Sequence, residues 1–166
     1  MRKIMTIAIA CAMTLTASAT KLTQGSLNVL KDQKNICVTL DLSKTVYKKD
    51  KTVQDFLNKA YRVADWKDIS MREFVNEFNE HAYRSGATVT TTAGGKYEMQ
   101  IIPATLTGGG QLKDVTVNII DKTSGQNIAT LTLDSHDGDD DDDEGLKDAI
   151  EDLGKQLGKF FNSKVK

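Results

Sequence analysis

The stretch DSHDGDDDDDEG, residues 134–145, holds the densest chemistry in the chain. Seven of the eight residues from 137 to 144 are Asp or Glu. Carboxylates at fixed spacing around a glycine are the donor set of a calcium loop. Counted from Asp140, the residues Asp140, Asp142, Glu144, Gly145, Asp148 and Glu151 fall at positions 1, 3, 5, 6, 9 and 12 of such a loop. Gly145 then stands where the sharp turn is required, and Glu151 could offer both oxygens to the ion. Three features oppose this register. Lys147 occupies a position that favours an apolar residue, a strand rather than a helix precedes the run, and residues 146–151 are needed for the first turns of the last helix. Two other readings stand beside calcium. Acids ahead of a helix face the positive end of its dipole, each contributing about 0.3–1 kcal/mol where close. A solvated acidic run can also dock a basic partner.

Elsewhere the search for chemistry is mostly negative. The two histidines, His81 and His136, have no H-E-x-x-H context, and no G-x-S-x-G is present. AGGKY, residues 93–97, lacks the first glycine and the Ser or Thr of a phosphate loop. No Cys/His cluster has zinc spacing. Cys37, in NICVTLDL, reads as a small apolar residue of a strand; as a reactive thiol it has no neighbouring base in sequence. No catalytic residue is assigned, and the expectation is a non-enzymatic protein.

The elements that would carry these residues follow from periodicity. In ICVTLDLS, Val38, Leu40 and Leu42 alternate with Thr39, Asp41 and Ser43, the period of a half-buried strand. GSLNVL is expected to pair with it through KDQKN. Val53, Phe56, Leu57 and Ala60 fit a short helix. SMREFVNEFNEHAYRSG predicts a long one: Ser70 and Glu73 as a capping box, Met71, Phe74, Val75, Phe78 and Ala82 as one stripe, Gly86 as its left-handed stop. That stripe is core-like in spacing, and a ligand wall is the alternative. ATVTTTAGGKYEMQIIPATL reads as a hairpin turned at Gly94-Gly95, with Pro103 marking an edge strand or a strand end. TGGGQ, with Gly108 to Gly110, reads as a flexible loop. A second hairpin follows, with Val115, Val117 and Ile119 on one arm, Ala129, Leu131 and Leu133 on the other, and Gly125 in the turn. Leu146, Ile150, Leu153, Leu157, Phe160 and Phe161 predict a closing helix. Gly154 and Gly158 lie beside its stripe, each costing about 1 kcal/mol against alanine. They imply a close approach, most simply to the sheet; a membrane GxxxG contact is opposed by the helix's charges. The fold class expected is α+β, a mainly antiparallel sheet with two principal helices packed on one face.

Compartment and partners come from the ends and the charge. MRKIMTIAIACAMTLTASAT has a basic start, an apolar run over 4–15 and an Ala17-Ser18-Ala19 cleavage site, so residues 1–19 read as a secretory signal peptide rather than a membrane span. Cys11 raises lipidation as the alternative to cleavage after Ala19. Residues 20–166 then form a single α+β domain, 147 residues with 20 Lys+Arg against 23 Asp+Glu. A net charge of −3 argues against nucleic acid as partner. A chain of this size can bury a core without disulfides.

ICVTLDLSK, FVNEFN, KYEMQII, VNIIDKTSGQNIATL and EGLKDAIEDLGKQLGKFF together resemble small secreted proteins of unknown function from Bacteroidetes. The layout is similar, more loosely, to envelope domains of the TolB amino-terminal and LpoB type. The resemblance implies an α+β module for protein contacts in the cell envelope, periplasmic or outer-membrane associated, with an envelope protein or a second copy as partner. It carries no functional residue. The competing expectation is a calcium or small-ligand binding protein using the 137–151 segment.

Overall fold

The computed structural model describes residues 20–48, 51–60, 66–138 and 143–166. The signal peptide expected over 1–19 and the candidate ligands Asp140 and Asp142 lie outside them.

Among the described residues, six strands and three α-helices build an α+β layer. β1 is Lys21–Gly25, β2 Ile36–Leu40, α1 Val53–Ala60, α2 Trp66–His81, β3 Val89–Thr90, β4 Tyr97–Leu106, β5 Leu112–Asp121, β6 Gln126–Leu133 and α3 Asp143–Lys164. The sheet order is β1-β6-β5-β4-β2-β3. β1–β6, β5–β6 and β4–β5 are antiparallel, whereas β2 runs parallel to both β3 and β4.

The two-residue period decides which face is buried. Val38, Leu40, Met99, Ile101, Val117, Ile119, Ala129 and Leu131 point to one side and are buried. α2 and α3 pack on each other and close that side. Their stripes behave as their spacing requires: Met71, Phe74, Phe78 and Ala82 from α2 join Leu146, Ile150, Leu153, Leu157 and Phe161 from α3 in one core cluster. Phe78 meets Phe161 edge to face, with ring centroids 5.0 Å apart. The β5–β6 hairpin also forms as expected, turning at Gly125 with φ +69°.

Four expectations are corrected. Residues 25–30 do not pair with β2: Asn28–Leu30 is a 3₁₀ turn that buries Leu30, and β1 before it pairs with β6 at the far edge of the sheet. The segments around Gly94-Gly95 are not a hairpin. β3 and β4 flank β2 on opposite sides, because β2 enters between them and supplies hydrogen bonds to both. Pro103 lies in an interior strand; it is tolerated because the β2 ladder ends at Leu40 opposite Ile101, before the missing N–H would be needed. Ser70 does not cap α2. The helix starts at Trp66, one turn earlier, which brings Trp66 against the core and leaves Ser70 buried inside the helix.

A capping box does exist on α1. The Asp55 N–H donates to Thr52 Oγ1 (3.2 Å), and the Thr52 N–H donates to Asp55 Oδ2 (2.6 Å). Gly86, at φ +68°, closes the 3₁₀ turn Tyr83–Ser85 that follows α2.

Candidate functional site

The outward side of the same strands is a second surface, and among the described residues no helix covers it. Registers align its side chains in rows. Thr39, Gln100, Asn118 and Thr130 cross β2, β4, β5 and β6; Ile102, Thr116 and Thr132 form the next row; Glu98, Ile120 and Asn127 form a third, with Cys37 beside Glu98. Most of these side chains are half-exposed; Thr39 and Asn127 are exposed and Cys37 is buried. Glu98 is the one charge where these rows cross β2, β4, β5 and β6, in a chain with 27% charged residues; Lys21 of β1 lies beside Thr132 at the edge.

The polar groups on this face hold one another. Thr39 Oγ1 donates to Glu98 Oε1 (3.0 Å), and Gln100 Nε2 donates to the same oxygen (3.3 Å). Asn118 Oδ1 accepts from Thr130 Oγ1 (3.1 Å) and from Asn127 Nδ2 (3.3 Å). Two such clusters beside Ile102 and Ile120 make a fixed, nearly uncharged platform. It has hydrogen-bonding capacity and apolar contact area but no nucleophile–base pair. Cys37 is a free, buried thiol on β2, as its strand position implied.

The acidic segment sits at the start of α3, with both flanks anchored. Leu112 N–H donates to Ser135 Oγ (2.8 Å), the Ser135 N–H donates to the Leu112 carbonyl (3.0 Å), and the His136 N–H donates to Asp152 Oδ2 (2.7 Å). Gly138 lies so close to Gln111 that an added Cβ would be 2.5 Å from its nitrogen. The loop at 108–110 is therefore not a free tip. Gly110 is buried at φ +87°, its Cβ position 2.4 Å from the Leu146 nitrogen, so the turn is wedged against the first turn of α3.

Of the candidate metal ligands, Glu144, Asp148 and Glu151 all lie on α3. Neighbours three or four apart share a helix face, so Glu144 with Asp148, or Asp148 with Glu151, could approach one ion. Among the described residues, no group of three or more His, Cys, Asp or Glu side chains converges to hold a metal. Glu151 instead faces α2. Partial burial, and next the Glu77 carboxylate, push its carboxyl above the usual range. His81 lies on the same seam, its Nδ1 3.0 Å from the Glu77 carbonyl and 3.6 Å from the Glu77 carboxylate.

The helical glycines serve this seam rather than the sheet. A Cβ on Gly154 would be 2.5 Å from the Phe74 carbonyl oxygen, and one on Gly158 would be 2.7 Å from that of Phe78. Both glycines let α3 close onto α2, which corrects the expectation that the sheet was the approached surface. Spacing showed that something came close, but could not say what. The uncovered face went unrecognised because outward Thr, Asn and Gln look in sequence like ordinary solvent positions; their alternation was its available signal.

Among the described residues no helix is long and apolar enough to cross a membrane. No family model and no curated protein matches the chain. Among solved structures, a PelC dodecamer from Paraburkholderia phytofirmans is 11% identical at a TM-score of 0.41, covering 90% of this chain and 99% of that one. A dodecamer of a PelC point variant from the same organism is 14% identical at 0.40, covering 85% and 97%. A likeness this loose carries neither a family nor a function.

Proposed function

We propose that the chain is a non-enzymatic exported protein that acts as an interaction module of the cell envelope, in the periplasm or at the outer membrane, and docks an envelope protein on the uncovered face of its sheet. The observation that carries this reading is the platform of Thr39, Gln100, Asn118 and Thr130 with Ile102 and Ile120. It is half-exposed, crossed by internal hydrogen bonds and almost free of charge. Protein interfaces are depleted of charge at their centre, and side chains already fixed lose little entropy on docking. β1 continues the same rows to an exposed edge of the sheet, with Gln24 beside Thr130 and Lys21 beside Thr132.

Site-specific photo-crosslinking in intact envelopes tests it. A crosslinker at Thr116 should yield one discrete heterologous adduct. The same probe at Lys155, on the exposed side of α3, should not. Asn118→Arg, which places a charge in the platform, should abolish the Thr116 adduct while the chain stays folded. Equal crosslinking from both positions, or an adduct indifferent to Asn118→Arg, would remove the face as the docking surface. An adduct made only of two copies of this chain would replace the envelope partner with self-association.

A further inference from the structure

The two edges of the sheet end differently. β3, Val89–Thr90, closes one side of the strand order. The Ile36 N–H donates to the Thr88 carbonyl (2.9 Å), so Val89, the next residue, turns its own N–H and carbonyl away from β2. Asn79 of α2 takes both groups. Its Oδ1 accepts from the Val89 N–H (2.8 Å), and its Nδ2 donates to the Val89 carbonyl (3.1 Å). One side-chain amide therefore makes the two bonds that a further strand would make, and this edge is filled.

β1, Lys21–Gly25, ends the other side, and among the described residues it pairs with β6 alone. All five of its residues are exposed. An edge strand presents a row of N–H and carbonyl groups outward, and among the described residues no side chain meets those of β1 as Asn79 meets Val89. The strand contains no proline, and its one charge, Lys21, is its first residue. Thr23 lies in a bulge between Leu22 and Gln24, its hydroxyl donating to the Thr130 carbonyl (3.0 Å).

We infer that the protein docked on the platform contributes an extended segment that pairs with β1 and continues the sheet. This rests on the platform docking proposed above. A row of backbone donors and acceptors is matched by another backbone in extended form, and alternate side chains of that segment prolong the platform rows past Gln24 and Lys21. A second copy of this chain fits the edge less well. It would meet β1 in two-fold symmetry, and the bulge bends the edge away from such straight pairing. Five residues of edge also fall short of the roughly 1,200–2,000 Å² that a stable specific interface buries. A partner that holds the edge and the platform together meets neither objection.

Photo-crosslinking of the full chain in intact envelopes tests it, with probes at Lys21 and at Gln24. Each should yield the heterologous adduct that forms from Thr116. Mass spectrometry should place both attachment points in one partner segment, within about five residues of each other, as a strand rising about 3.3 Å per residue requires. A probe at Thr91, just past the filled edge, should yield none of it. Leu22→Pro, which removes an N–H from the edge strand, should cut the Gln24 adduct about ten-fold. Leu22→Lys keeps the N–H and sets a charge on the edge; it should have the same effect, and it decides the matter if the proline variant melts below the parent chain. A Thr116 adduct with none from Lys21 and Gln24, attachment points scattered over the partner, equal yield from Thr91, or indifference to both variants would overturn the inference and leave the platform reading standing. Loss of the Thr116 adduct as well would remove both. An adduct of two copies of this chain from the β1 probes would overturn the inference by placing a second β1 on the edge.

Discussion

Val117 and Asn118 are neighbours on β5, yet they belong to different solvents. Val117 is fully buried under the helices, while Asn118 holds Thr130 and Asn127 on a side that no described helix covers. The same alternation runs through β4 and β6. Stability is therefore concentrated on one face. Burying apolar area there is worth about 25 cal/mol per Å², whereas a half-exposed hydrogen bond on the other face exchanges one partner for water at little net gain. The docking proposal uses the face that contributes less to stability.

The largest effect that tests this contrast is on the covered side. Phe78 is fully buried between Phe74 and Phe161. Phe78→Ala should cost about 3–5 kcal/mol in denaturant unfolding, through lost transfer energy and the cavity left behind. Asn118→Ala should cost less than about 1 kcal/mol by the same measurement. Comparable costs would mean that the outer platform is part of the fold's support and not a free surface.

Two glycines sharpen the contrast at an intermediate scale. Gly154 has ordinary helical backbone, but its missing Cβ is what lets Phe74 approach. Gly154→Ala gains about 1 kcal/mol of helix propensity and loses more by forcing α2 and α3 apart, a net loss of about 1–2 kcal/mol. Gly125 is the reverse case. Its Cβ position meets nothing within 4 Å, but its φ is +69°. Gly125→Ala should cost about 1 kcal/mol through backbone strain alone. Melting both variants separates close approach from conformation. A stabilised Gly154→Ala would show that the helix seam is looser than its backbone distances.

These glycines also show where sequence runs out. The stripe from Met71 to Phe78 and the alternation from Val115 to Ile119 are periodic, and periodicity names the buried face without naming the partner. The β5–β6 hairpin was legible because its partners are joined by one short turn. β2 pairs with β4 across about sixty residues, Cys37 opposite Glu98, and nothing local to either strand encodes that parallel register. Gly94-Gly95 looked like a hairpin turn because the dipeptide favours one. Gly95 is instead needed because a Cβ there would lie 2.2 Å from the Asn35 carbonyl oxygen, at the entrance to β2. Ser70 and Glu73 have the spacing of a cap, but burial of Trp66 extends α2 past them. Of the candidate site, the acidic segment was conspicuous in sequence, while the platform required strand registers to be seen at all.

The seam at the margin of the covered side gives a smaller, pH-dependent effect. Glu151 is pushed above the ordinary glutamate value of 4.5 by partial burial first and by Glu77 next; Asp148 and Glu73 add to the rise and Lys147 opposes it. A carboxyl with a raised folded pKa takes up its proton more readily in the fold than in the unfolded chain. Its charge therefore penalises the fold at neutral pH, and the penalty fades as pH falls through the raised value toward 4.5. Glu151→Gln should raise stability at pH 7, read from the melting midpoint, by no more than ~0.5 kcal/mol because solvent screens the half-exposed group. Below the ordinary glutamate value the variant and the parent chain should converge. A gap that is constant across this window would remove the charge explanation.

The smallest expected effect concerns calcium, and it decides whether binding belongs to the helix side as well. Glu144 and Glu151 are seven residues apart on α3, about 10 Å along the axis at 1.5 Å per residue. Calcium holds its oxygen ligands at about 2.3–2.6 Å, so a helix beginning at Asp143 cannot bring both carboxylates to one ion. The acids nearest the helix start are better placed to face its positive end. Millimolar calcium should therefore leave the melting midpoint of residues 20–166 unchanged to within about 1 °C. A ligand specific for the native state at a hundred times its dissociation constant would add about 2.7 kcal/mol, several degrees for a domain of this size. A rise of that order, lost in Glu151→Gln, would mean that α3 starts later when the ion is present and that residues 140–151 wrap around it. Binding would then sit on the covered side of the molecule, and the division between a face for stability and a face for contact would fail.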